Sequence, residues 1–351
     1  MCRNGHTGYA RAQRGTVRKM LGRLGFTAAI ATSAVALLAP ATGQASTVTV
    51  GSVLPPGSAP TEFGQVETFF NTALPEKGAN LTSPVDGAIV RWRLQDASGG
   101  PFFLRVLRPN GSGGYMAAGT SNPVTPSGPG LQTFTANLPI EAGDLIGVDP
   151  TNATDKVGVV EAAGASYGFI FPPPFDGATV APSGSANGKE IELSAEVQPT
   201  PTVTSVAPDF GPVGGGTTVT ITGTDLASAS AVKFGELPAA SFKAESETKI
   251  TAVAPASARV GSVDVTVTTL AGTSATGRGD SFYYEGCVVP KLKGKNVRNS
   301  KRALGRAGCK LGKVSKRHAA KRKKGKVLKQ NTKPGKVLAT GTKVNITIGK
   351  L

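Results

Sequence analysis

The stretch PDFGPVGGGTTVTITGTDL, Pro208 to Leu226, decides how the middle of this chain folds. Pro212 fixes its own backbone φ, and the glycines at 214–216 permit a turn that a β-branched residue could not form. After the turn, Val-Thr-Ile-Thr alternates apolar and polar side chains, as a half-buried strand does. The stretch therefore predicts a tight turn leading into a strand of a β-sandwich, with Val219 and Ile221 facing the core.

The segments that follow this stretch strengthen the prediction. They are KFGELPA at 233–239, TAVAPA at 251–256, GSVDVTVTT at 261–269 and the aromatic SFYY at 281–284. Together with the first stretch they resemble the IPT/TIG family of immunoglobulin-like domains over about Thr202 to Glu285, within a domain predicted at 199–285. Members of that family occur in cell-surface receptors, transcription factors and secreted bacterial enzymes, usually as spacers or interaction domains. The resemblance thus implies an extracellular multidomain protein and no particular activity.

The last segment, 286–351, contains a spaced set of apolar residues, glycines and prolines. The set is Val289-Pro290, Leu292, Gly294, Leu304, Gly308, Leu311-Gly312, Val327, Gln330, Lys333-Pro334-Gly335, Gly341 and Val344. It resembles a PASTA domain, the module of penicillin-binding proteins and bacterial serine/threonine kinases that meets the cell wall. Some PASTA copies recognise peptidoglycan fragments or β-lactams and others do not, so the resemblance implies a wall contact without fixing a ligand. Family members usually carry an apolar residue where Cys309 stands.

Local signals in this segment predict a small α+β unit. Asn296 is placed to cap a helix that runs to about Ala307, and Gly308 is a typical C-terminal stop. Val297, Ser300 and Leu304 share one face of that helix. Strands are predicted at 313–314, 326–330 and 343–348, with a turn at Pro334-Gly335.

The two cysteines of this segment are predicted to form a disulfide. Cys287 and Cys309 remain after a leader is removed, and export places them where disulfides persist. They would close a loop worth ~3 kcal/mol in the chain-entropy model. A module of this size with few large apolar side chains needs such a cross-link.

Charge is distributed very unevenly along the chain. Cys287 to Leu351 contains 21 Lys and Arg residues and no acid, whereas Ser46 to Gly286 carries a net charge of −10. Such asymmetry is typical of a module that meets a polyanion. The densest part is KRHAAKRKKGK, Lys316 to Lys326, interpreted as a loop between two strands; a disordered tail is the alternative. The predicted contacts to the wall or another polyanion are Lys316, Arg317, Lys321, Arg322, Lys323 and Lys324.

The segment 46–198 predicts a jelly-roll-like antiparallel β-sandwich, so the chain as a whole is mainly β. Short apolar or alternating runs are separated by Gly, Pro and Ser turns, without helical periodicity. The runs lie at 88–94, 102–107, 131–138, 144–149 and 190–197. Trp92, Tyr115 and Tyr167 are aromatics that a sugar ring could stack on, but Trp92 alternates with Arg91 and Arg93 and is therefore assigned to the core. Arg91, Arg93, Arg105 and Arg108 are expected on a solvated face with acidic partners.

Residues 1–45 resemble a signal peptide. A basic, acid-free start at 1–23 precedes the apolar run 24–38, and small residues precede Ser46. The run is about 15 residues long, short of the ~20 that span a bilayer. An uncleaved anchor is the alternative, and Met20 is a second possible start.

These observations favour a secreted, non-enzymatic cell-envelope protein that binds peptidoglycan or teichoic-acid-like polymers, with carbohydrate a possible partner of the first domain. His318 is the single histidine left after residues 1–45, so neither a His-based catalytic site nor a metal site or cofactor is predicted. One alternative is an adhesin that binds polysaccharide or nucleic acid non-specifically; the basic run has no aromatic for base stacking. The other is a glycan-active enzyme using carboxylates such as Asp144 and Asp149.

Overall fold

The computed structural model describes residues 46–351, so the predicted signal peptide, with its start at Met1 or Met20, lies outside the described residues. The chain is mainly β, as predicted, and one α-helix is described, near the C-terminal end. The first sandwich contains twelve strands. They are β1 (Val48–Gly51), β2 (Ala59–Glu62), β3 (Thr68–Ala73), β4 (Gly87–Gln95), β5 (Phe102–Pro109), β6 (Tyr115–Thr120), β7 (Leu131–Ile140), β8 (Leu145–Pro150), β9 (Lys156–Ile170), β10 (Thr179–Val180), β11 (Gly184–Ile191) and β12 (Leu193–Pro199).

Two sheets of unequal size enclose the core of the first sandwich. One has the order β1-β12-β4-β7, and the other the order β10-β6-β5-β8-β3-β9-β11, with β2 also paired to β9. Trp92 and Leu94 are fully buried between them, which confirms that the Trp92 face of β4 is a core face. Trp92 contacts Phe134, with the ring centroids 5.0 Å apart.

The run 190–197, predicted as one strand, is two strands in opposite sheets. Residues up to Ile191 belong to β11, and β12 begins at Leu193. The chain crosses between the sheets at Glu192, whose N–H donates to Gly158 in one sheet and whose C=O accepts from Gln95 in the other. The apolar alternation continues through the crossing, because both strands face the same core.

The arginines of the first sandwich have the acidic partners that were predicted, but they are not all solvated. Arg91 and Arg93 both bind Glu196, and Arg108 binds Asp144 at 2.9 Å. Arg105 is buried, in contrast to the prediction, and binds Asp149 at 2.5 Å and Asp176 at 3.1 Å. Asp176 reaches Arg105 from the connection between β9 and β10, so this loop covers the outer face of the sheet there.

The second sandwich has ten strands in two sheets, β13-β15-β19-β18 and β14-β22-β20-β16-β17, with β21 paired to β20. Val219 and Ile221 are fully buried, as predicted. Gly215 has a φ of +74°, and a Cβ there would lie 2.6 Å from the backbone N of Ala256, so the turn requires glycine. The strands are β13 (Thr202–Ala207), β14 (Phe210–Pro212), β15 (Thr218–Thr224), β16 (Ala231–Phe234), β17 (Leu237–Pro238), β18 (Ser241–Ser246), β19 (Lys249–Val253), β20 (Gly261–Thr269), β21 (Gly272–Thr273) and β22 (Ser281–Glu285).

The C-terminal module combines one helix with a three-stranded sheet of order β24-β27-β25 and a two-stranded sheet, β23-β26. The Asn296 side chain accepts a hydrogen bond from the N–H of Asn299 at 2.8 Å, which confirms the predicted cap. Ser300 and Leu304 are the buried residues of the helix. The elements are β23 (Cys287–Val288), α1 (Val297–Arg306), β24 (Lys310–His318), a 3₁₀ helix (Lys321–Lys323), β25 (Val327–Gln330), β26 (Val337–Leu338) and β27 (Lys343–Lys350).

The C-terminal module contacts the second sandwich directly. Val337 packs against the core of that sandwich. A Cβ on Gly286, between the two, would lie 2.6 Å from Cγ2 of Val260 and 2.9 Å from Cγ1 of Val213. Glycine is therefore needed where β22 passes into β23, and no free linker separates the two units.

Candidate anion-binding surface

All 21 Lys and Arg side chains between Cys287 and Leu351 are exposed. None of them forms an ion pair within the described residues, whereas seven of the eight ion pairs of residues 46–351 lie in the first sandwich and the eighth joins Lys243 to Glu245. The positive charge of this module is thus not neutralised internally, and it is available to an external polyanion.

The six predicted contact residues lie at one end of the three-stranded sheet. Lys316 and Arg317 belong to β24 and not to a loop, which corrects part of the prediction. They pair with Ile348 and Gly349 of β27, so their side chains leave opposite faces of the strand. Lys321, Arg322 and Lys323 form the 3₁₀ helix, and Lys324 follows, bridged to Gly349. The sequence between the strands is a turn held at both sides by β27, in contrast to the disordered-tail alternative.

The outer face of the same sheet carries polar residues that were not predicted from the sequence as binding residues. Helix α1 packs with Leu304 on the face of β27 that holds Val344, Ile346 and Ile348. The alternate residues Asn345 and Thr347 therefore face away from the core. They contribute to a cleft of about 220 Å³ with Lys313, Ser315, Lys329 and Asn331. The alternation Val-Asn-Ile-Thr-Ile in the sequence is the signal that could have placed Asn345 and Thr347 on this face.

The frame behind this surface is fixed by a half-buried amide, Gln330, and a disulfide. Gln330 accepts the N–H of Leu292 at 2.9 Å and donates to the carbonyls of Pro290 and Thr332 at 3.2 and 2.8 Å. Cys287 and Cys309 form the predicted disulfide, with their Cα atoms 4.8 Å apart. Both cysteines belong to the apolar core of the module.

The residues of the first sandwich that were considered for ligand binding or catalysis contact other residues of the same sandwich. Tyr115 packs edge-on against Phe70 and Tyr167 against Phe63, at centroid distances of 4.9 and 5.9 Å. Asp144 is buried and binds Arg108, and Asp149 is buried and binds Arg105.

Two other carboxyl groups in the first sandwich form no ion pair within the described residues. Glu190 and Glu192, on either side of Ile191 at the sheet crossing, are fully buried. Burial, together with the nearby carboxyl of Glu76, raises the pKa of Glu190 to about 7. Burial and the charges of Glu190, Glu76 and Asp96 raise the pKa of Glu192 to about 8.

Comparisons with known proteins identify the two C-terminal units. Residues 201–284 match the family model of the IPT/TIG domain, and residues 288–350 match that of the PASTA domain. The chain thus carries an IPT/TIG domain followed by a PASTA domain, as the sequence patterns indicated. This combination fits an extracellular or cell-envelope protein. No curated protein matches the chain significantly.

Solved structures resemble the chain only in part. The full extracellular region of plexin A4 is 19% identical, with 62% of this chain and 18% of that chain covered and a TM-score of 0.25. SGBP-B, from a complex xyloglucan utilization locus in Bacteroides uniformis, is 14% identical, with 71% of this chain and 52% of that chain covered and a TM-score of 0.22. The chain therefore spans about half of SGBP-B and less than a fifth of the plexin region. Neither likeness bears on function.

Residues 46–351 contain neither a membrane-spanning helix nor a cluster of metal-binding side chains. No helix in this part of the chain is long and apolar enough to cross a membrane. No group of three or more His, Cys, Asp or Glu side chains there is placed to hold a metal ion.

Proposed function

We propose that this protein is a secreted, non-enzymatic cell-envelope protein whose PASTA module binds anionic polymers or peptidoglycan of a bacterial wall. The observation that carries the proposal is the set of 21 exposed cations in a module that contains no acid. The fold holds these cations in place, so several of them meet a flexible polyanion at once.

The mechanism follows from elementary electrostatics. Each exposed cation gains little from a single contact in water, because the dielectric constant is high. A polyanion with regularly spaced phosphate or carboxylate groups carries condensed counterions, and binding releases them into solution. The free energy of that release grows with the number of contacts. Binding should therefore be strong at low salt and weak at high salt.

Sedimentation with purified wall sacculi tests the proposal. We expect the full chain to co-sediment and a chain ending at Gly286 to stay in the supernatant, because the second chain lacks the basic module. Association should weaken by at least about tenfold between roughly 0.05 and 0.5 M salt. It should also fall after teichoic acids are removed. Equal sedimentation of the two chains would rule out the PASTA module as the wall contact.

A charge-matched pair of variants locates the contact. Replacing Lys316, Arg317, Lys321, Arg322, Lys323 and Lys324 by Gln should abolish most of the association. Replacing six cations at the helix end of the module removes the same charge and should weaken it less. The residues of this control variant are Lys291, Lys293, Lys295, Arg298, Lys301 and Arg302.

Competition with duplex DNA tests the adhesin alternative. If duplex DNA of equal charge density competes as well as wall polymer, that alternative is favoured.

A further inference from the structure

We propose that the cleft on the outer face of the PASTA sheet is a binding site for a single oxyanion, formed by the side-chain amides of Asn331 and Asn345 and the ammonium groups of Lys313 and Lys329. The identity of its natural source, a phosphate or carboxylate group of a wall polymer, rests on the proposed function. The site itself rests on the geometry of three strands.

A β-bulge creates the site. The register between β24 and β27 shifts between Leu311 and Val314, so Lys313 has no backbone partner on β27. Its N–H donates instead to Oδ1 of Asn345 at 2.7 Å. Gly312 leaves the space for this side chain, since a Cβ there would lie 2.1 Å from the same oxygen.

The second asparagine is held in the same way from the opposite strand edge. Oδ1 of Asn331 accepts the backbone N–H of Asn345 at 2.8 Å, and the N–H of Asn331 donates to the carbonyl of Asn345 at 3.0 Å. A backbone N–H can only donate, so it fixes which end of each amide is the oxygen. The Nδ2 group is thus the end of each amide that does not hold the backbone, and neither Nδ2 donates a hydrogen bond within the described residues.

The groups around these amides are donors as well. Lys313 and Lys329 line the cleft with the hydroxyl groups of Ser315 and Thr347. Ser315 and Lys329 both pair with Thr347, from the two sides of β27, so the three side chains share the outer face. Two cations, two amide donors and two hydroxyl groups around about 220 Å³ suit an oxyanion, because charge-assisted hydrogen bonds to phosphate or carboxylate oxygens are the strong ones.

The site continues into the predicted contact surface. Arg317 follows Ser315 by two residues on β24 and therefore lies on the same outer face. A polymer with one group in the cleft would thus have its neighbouring groups next to Arg317 and the 3₁₀ helix. The cleft supplies the geometric selectivity that exposed lysines alone do not provide.

Asparagine-to-aspartate substitutions test the site with little change to the fold. Asn345→Asp and Asn331→Asp each keep the oxygen that accepts the backbone N–H, but they replace the Nδ2 donor by an anionic acceptor. We expect each to weaken binding of inorganic phosphate by about tenfold or more. The matched control is Asn299→Asp on helix α1, which packs on the opposite face of the sheet; it changes the charge equally and should alter binding by less than about twofold.

The readout is the NMR spectrum of the full chain labelled with ¹⁵N-asparagine. Sodium phosphate or sodium acetate is titrated against sodium chloride at equal ionic strength, which separates the phosphate and carboxylate sources. We expect saturable shifts of the Nδ2 resonances of Asn331 and Asn345, with Asn299 unmoved. Equal, non-saturating shifts of all exposed asparagines would overturn the proposal, as would unchanged affinity in both cleft variants.

The double variant Lys313→Gln/Lys329→Gln guards against misfolding, since both side chains are exposed and hold no backbone group. It should lose the saturable phosphate shifts while the Asn345 backbone resonance stays in place. Retained shifts would overturn the site. Sacculus binding separates this proposal from the general one. Saturable phosphate shifts without sacculus binding refute the proposed function alone, and sacculus binding without saturable phosphate shifts refutes the site alone.

Discussion

Replacing Glu192 by Gln is expected to stabilise the first sandwich at pH 8 and to flatten its pH dependence. The carboxyl of Glu192 is fully buried with no partner, and its pKa is raised from 4.5 to about 8. The folded state therefore keeps a proton that the unfolded chain releases near pH 4.5. Between pH 4.5 and about 8, the proton held only by the folded state makes the free energy of unfolding fall as the pH rises. The fall is up to about 1.4 kcal/mol per pH unit. A glutamine side chain has no proton to lose, so the gain should reach up to about 4 kcal/mol at pH 8 and vanish near pH 4.5.

Urea denaturation followed by tryptophan fluorescence measures this effect, because Trp92 is the only tryptophan and lies in the core of the first sandwich. Glu196→Gln, on the strand β12 that follows Glu192, is the matched control. Burial opposes ionisation there, but hydrogen bonds from Arg91 and Arg93 lower the pKa of Glu196 overall. That variant should lose about 1 kcal/mol at pH 7, with the difference from wild type shrinking as the pH falls below 4.5. Identical pH profiles for Glu192→Gln and wild type would show that the carboxyl is hydrated or compensated by a cation.

Removing the disulfide is expected to destabilise the PASTA module selectively. Cys287 and Cys309 are 22 residues apart in sequence, and cross-linking them restricts the unfolded chain by ~3 kcal/mol. Both sulfur atoms also belong to the core, so replacing the pair by serine adds the cost of burying two hydroxyl groups. The basic module offers trypsin many cleavage sites once it opens. Reductant should therefore speed cleavage within 287–351 strongly.

Three measurements serve as controls for the effect of the reductant. Reductant should leave the Trp92 unfolding curve unchanged, and it should have no further effect on the double serine variant. Thiol titration of the denatured chain starting at Ser46 gives the covalent state directly. Equal thiol counts with and without reductant, or equal cleavage rates, would contradict a disulfide with this role.

Much of the fold could be predicted because alternation and caps are local signals. The Val219 and Ile221 alternation placed a core strand, and Asn296 marked the start of the helix. The break at Glu192 could not be predicted, since residues 190–197 alternate in the same way whether they form one strand or cross between sheets. The burial of Arg105 depends on the loop that carries Asp176, a contact far away in sequence.

The candidate anion-binding surface could also be predicted only in part from the sequence. Composition alone located the six cations, because a run without acids needs no structure to be recognised. Asn345 and Asn331 were missed as binding residues, because an asparagine on a solvent-facing strand position has no distinctive pattern. Their donor groups are oriented by a bulge and by two strand pairings, which are properties of three segments together.

Because β24 is an edge strand, its cations also affect the solubility of the protein. Among the strands of residues 46–351, β24 pairs only with β27, so its other edge presents N–H and C=O groups to which a strand of a second molecule could pair. Lys313, Lys316 and Arg317 place like charges along that edge, and repulsion between two such edges opposes the start of aggregation. Variants that neutralise this strand should therefore form sheet-joined oligomers more readily than wild type, so their sedimentation with sacculi must be compared with sedimentation of the same variants alone.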